Sequence, residues 1–108
     1  MCNHETILVL TNVPNDDCAK EIADTLIKMQ LAACVNILSP CLSIYRWEDK
    51  IERSTEIPIM IKTSQNQYAE IEKIILKLHP YELPEIITLN VSGGLPSYLQ
   101  WVDAQINK

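Results

Sequence analysis

The chain has no G-x-S-x-G elbow, no Walker loop and no H-E-x-x-H pair, so the usual signatures of serine hydrolases, P-loop enzymes and zinc proteases are missing. Histidine is scarce: only His4, close to the start of the sequence, and His79 occur. The four cysteines, at 2, 18, 34 and 41, form no C-x-x-C pair and do not fit a zinc knuckle. They read as free thiols in a reducing compartment. No basic n-region precedes the short apolar run Ile7–Leu10, and no segment approaches the length of a membrane span. The expected location is the cytoplasm, with no membrane as partner. A net charge of -5 argues against nucleic acid and anionic membranes. The same acidity suits a cation binder.

What is present fits one domain over residues 1–108, long enough for a core but with about a third of the unfolded surface still exposed. Ile7-Leu8-Val9-Leu10 reads as a strand buried on both faces. After Pro14, Asn15-Asp16-Asp17 supplies a helix cap and first-turn charge. Ala19, Ile22, Ala23, Leu26 and Ile27 then recur at helical spacing. Ala33–Ile37 is extended up to Ser39-Pro40, and Leu42, Ile44 and Arg46 alternate with Ser43, Tyr45 and Trp47 as a period-2 strand.

Glu48-Asp49-Lys50 makes the hairpin turn, where aspartate tolerates left-handed backbone, and Ile51–Ile61 returns. Pro58 in the returning strand cannot donate to a ladder, which predicts a bulge or an unpaired N–H direction. Ser64-x-x-Gln67 has the form of a capping box before a second helical stripe of Tyr68, Ile71, Ile74, Ile75 and Leu78. Ile86–Val91 is the last strand, and Tyr98, Trp101, Val102 and Ile106 line a short terminal helix opened by Pro96.

The order β-α-β-β-α-β plus a helix is the split βαβ arrangement, an α+β class in which right-handed crossovers put both helices on one face of an antiparallel sheet. The other face and the long hairpin then need cover from another subunit. This fold also hosts acyl-phosphate hydrolases, but that chemistry wants an arginine in a phosphate-cradling loop. Arg46 and Arg53 both fall in the hairpin. No enzyme is expected.

The segment His79-Pro80-Tyr81-Glu82-Leu83-Pro84-Glu85-Ile86 carries an imidazole, a phenol and two carboxylates around two prolines. Each proline fixes its own φ and holds the preceding residue extended, so the polar groups are presented in a set geometry. The segment is at the same time a helix-to-strand connection, and the two readings are compatible.

Leu31–Ile37, Ser43–Glu52, Ile61-Lys62-Thr63, the proline-rich segment and Tyr98-Leu99-x-Trp101, in this order and spacing, resemble the CutA family of small trimeric proteins linked to divalent-cation tolerance. The resemblance runs from Ile7 to about Ile106. It implies a ferredoxin-like fold, a homotrimer and an association with copper and related divalent cations. In some copper-linked members a cysteine ends the first strand and a second histidine precedes the H-P-Y motif. Here those positions are Thr11 and Leu78, so the carry-over reaches His79 alone.

Two constellations are candidates for a site. His79, with Glu82 and Glu85 nearby in sequence, offers ligands for a divalent cation, copper foremost. The competing reading of His79 is an imidazole hydrogen-bonded in an interface. Tyr45, Trp47, Lys62, Tyr81, Tyr98 and Trp101 would line a cleft between subunits for a small anionic or zwitterionic molecule, in analogy to the trimeric PII signalling proteins. Such aromatics are more often core or interface.

Overall fold

The computed structural model describes residues 5–106. Five strands and three α-helices follow the order β1 (Thr6–Val13), α1 (Asp16–Lys28), β2 (Cys34–Ile37), β3 (Cys41–Trp47), β4 (Lys50–Ser64), α2 (Tyr68–Leu78), β5 (Ile86–Asn90) and α3 (Pro96–Ala104). The antiparallel sheet runs β2-β4-β1-β5, and β3 pairs with the first half of β4. This is the expected ferredoxin-like α+β arrangement.

Strand β4 sets the shape of the molecule. Fifteen residues at about 3.3 Å each reach about 50 Å, matching the 50 Å long axis of the chain. Its second half lies between β1 and β2, and its first half pairs only with β3 in a projecting hairpin. The turn places Glu48 and Asp49 at φ 49° and 65°, a two-residue loop with both residues left-handed. The tolerance of aspartate for that backbone accounts for one of the two positions; the left-handed glutamate has no such signal in the sequence.

Alternation along β1 separates two faces. Ile7, Val9, Thr11 and Val13 are buried, and the apolar members of this set pack with Ile57, Ile59 and Ile61 against α1 and α2. Helix α1 contributes Ala19, Ile22 and Leu26 to this core, and α2 contributes Ile71 and Ile75. Ile27, expected on the same stripe, stays 43% exposed. The opposite face carries Leu8, Leu10, Met60, Ile87 and Leu89, of which the last two are half exposed. Among the described residues no helix covers its centre; α3 packs on β1 and β4 at one end.

Local signals behave unevenly. Asn15 caps α1 by accepting from the Cys18 amide at 2.8 Å. The α1 terminus closes with Gln30 left-handed at φ 57°, Gln30 N–H donating to Ile27 O and Leu31 N–H to Leu26 O, a Schellman motif without its usual glycine. The expected capping box does not form. The Ser64 hydroxyl bonds the Asn66 side chain, a 3-10 turn occupies Gln65–Gln67, and α2 starts only at Tyr68. Pro58 causes no bulge, since the β1–β4 register runs unbroken through Asn12↔Pro58. Its carbonyl accepts from Leu38 N–H, so its missing donor faces the same side, where the β2 ladder has just ended.

Candidate functional site

The proline-rich segment is anchored where α2 stops. Pro80 forces His79 into extended backbone (φ -81°, ψ 131°), while the His79 amide still donates to Ile75 O at 2.8 Å. The ring turns inward and is 6% exposed. Its Nε2 lies 2.6 Å from the Asn12 carbonyl, and its Nδ1 accepts from the Tyr81 amide at 3.2 Å. A carbonyl only accepts and an amide N–H only donates. The ring is therefore neutral with its proton on Nε2, and both nitrogens are in use.

Asn12 ties the segment down twice, because its side-chain amide also donates to Glu85 Oε1 at 3.2 Å. The Tyr81 ring packs at 4.7 Å from the imidazole. Its phenol meets Glu56, which is 7% exposed on β4. Burial, then the hydrogen bond and negative charge of Glu56, then smaller effects of Tyr45 and Cys18, push the phenol up to about 12. Cys18, behind the segment, donates toward Leu78 O at 3.8 Å. Burial and, second, the Glu21 charge push its thiol up.

Between this segment and the hairpin lies an open cleft of about 960 Å³. Tyr45, Trp47, Tyr81, Glu56, Glu82 and Glu85 are among the side chains that wall it. Tyr45 is fixed by a 3.0 Å bond between its hydroxyl and that of Ser54. Among the described residues of the chain, the lining holds three carboxylates and no lysine, arginine or histidine.

Within one chain the residues expected around an intersubunit cleft fall into two groups. Tyr45, Trp47 and Tyr81 do come together, joined by Glu82 and Glu85. Lys62, Tyr98 and Trp101 form a separate group: Lys62 Nζ lies 5.8 Å from the Tyr98 ring centroid, and Tyr98 stacks on Trp101 at 5.7 Å. Glu56 and Lys62 share one face of β4 six residues apart, about 20 Å at strand spacing. One chain cannot place them around one small molecule. Both ring nitrogens of His79 are engaged, Nε2 with the Asn12 carbonyl and Nδ1 with the Tyr81 amide, and Glu85 accepts from the Asn12 side chain. Among the described residues, no group of three or more His, Cys, Asp or Glu side chains converges to hold a metal ion. Cys2 and His4 lie outside the described residues.

Sequence reasoning missed Asn12 and Glu56. Each had a signal: a polar residue at the end of an apolar strand just before a proline turn, and a carboxylate bordering the apolar run of β4.

Residues 7–105 match the family model described as CutA1 divalent ion tolerance protein. The chain belongs to the CutA1 family. It is 35% identical over 102 residues to the divalent-cation tolerance protein CutA of Pectobacterium atrosepticum, covering 94% of this chain and 93% of that protein. A CutA homolog of Xenopus laevis is 44% identical over 89 residues, 82% of this chain but 59% of its own length. The chain likewise spans half of the mouse and human CutA proteins. Among solved structures, the divalent cation tolerance protein of Thermus thermophilus superposes with a TM-score of 0.92 at 34% identity, covering 94% of this chain and 99% of the other. CutA1 of the psychrotrophic Shewanella sp. SIB1 gives 0.93 at 39%, covering 96% and 97%. The Pectobacterium and Thermus proteins are named for tolerance, not for an enzymatic activity.

Proposed function

We propose that this CutA1 chain acts in divalent-cation tolerance as a homotrimer that meets cations, copper foremost, as cargo along its acidic cleft. The observation that carries the reading is the cleft lining, with Glu56, Glu82 and Glu85 and no basic side chain. Carboxylate oxygens accept first-row divalent ions, and copper heads that series in affinity. His79 takes the role of a positioning residue, since its neutral ring fixes Tyr81 and the segment bearing Glu82 and Glu85. The trimer is supported by the uncovered apolar face and by the hairpin, where Leu42, Ile44 and Ile51 are each about 60% exposed. We place the protein in the cytoplasm, where the free thiols of Cys18, Cys34 and Cys41 would stay reduced.

Sedimentation and copper titration together test this. The trimer should sediment at three times the chain mass. Replacing Glu82 and Glu85 by glutamine should weaken copper binding at least about tenfold. A stable monomer, or an unchanged affinity, would refute the corresponding half.

A second reading, a trimeric module that senses a small molecule in the manner of the PII proteins, draws on a different observation. The cleft has aromatic walls and a volume suited to an organic ligand.

A further inference from the structure

We draw no further inference here: the strongest candidate, the cavity of about 710 Å³ between α3 and the strand ends at Thr6, Ser64 and Asn90, carries nothing, because nothing among the described residues shows what covers it.

Discussion

His79 offers the sharpest test of how the site is held. In the folded chain its Nε2–H donates to Asn12 O at 2.6 Å and its Nδ1 accepts from Tyr81 N–H at 3.2 Å. His79→Ala removes both bonds and the ring contact with Tyr81, and leaves an amide and a carbonyl without those partners. With a net 0.5–1.5 kcal/mol per bond and 1–3 kcal/mol per stranded buried group, the loss should be about 3 kcal/mol. For a domain of this size that lowers the melting temperature by about 12–20 °C. His79→Asn retains an acceptor near Nδ1 and His79→Gln a donor near Nε2, so each should lose about half as much. Urea unfolding at one fixed protein concentration measures this, since assembly would couple to folding. Nitrogen NMR of the imidazole should show the neutral ring protonated at Nε2. A His79→Ala protein within about 0.5 kcal/mol of the parent would refute the positioning role. Unchanged stability with a tenfold loss of copper affinity would restore His79 as a ligand.

Other positions give independent tests. Gln30 holds left-handed backbone in a Schellman motif, so Gln30→Gly should stabilise by about 0.5–1 kcal/mol in urea melts. Asp49→Gly relieves the same strain in the hairpin turn, with a gain of similar size. The Thr11 hydroxyl is buried without a hydrogen-bond partner among the described residues, so Thr11→Val should stabilise by about 1 kcal/mol, and a loss would show that the hydroxyl is in use. Tyr81, raised to about 12 from the ordinary value near 10, binds its proton more tightly folded than unfolded. Its stabilisation is complete below pH 10 and is lost as pH rises through 12, at most about 2 kcal/mol after solvent screening. Tyr81→Phe should flatten this alkaline arm in melts taken between pH 9 and 11.5.

The element order was legible because each element carries its own period. The alternation around Ile44 and the helical stripe through Ile22 and Ile71 follow from side-chain direction alone. The failures occur where two local signals compete. Ser64-x-x-Gln67 can cap a helix, but Ser64 also ends β4 paired to Thr6 and bonds Asn66 in a tighter turn. Ile27 obeys the α1 period, yet the two facing helices bury a narrower stripe of Ala19, Ile22 and Leu26. Pro58 left two outcomes open, a bulge or an unpaired N–H direction, because the sequence does not reveal which side of a strand still has a neighbour; the second holds.

The site was legible only where chain proximity and spatial proximity coincide. Tyr81, Glu82 and Glu85 are close because Pro80 and Pro84 stiffen a short connection, and that much is local. Glu56 joins them only because β4 passes under the segment, and Asn12 only because β1 ends beside α2's last turn. Lys62 stands apart from them within the chain for the converse reason. A lysine ending an apolar run near aromatics in sequence order belongs here to the other end of the same strand face, against Tyr98. Separating a basic aromatic end from an acidic aromatic end on one uncovered face also bears on assembly. Copies meeting across that face could bring one end of a chain to the opposite end of its neighbour, with complementary charge favouring that register. Lys62→Glu would then weaken the assembly, measured as a rise in its dissociation constant. A Lys62→Glu protein that sediments like the parent at every concentration would remove charge pairing as the source of register.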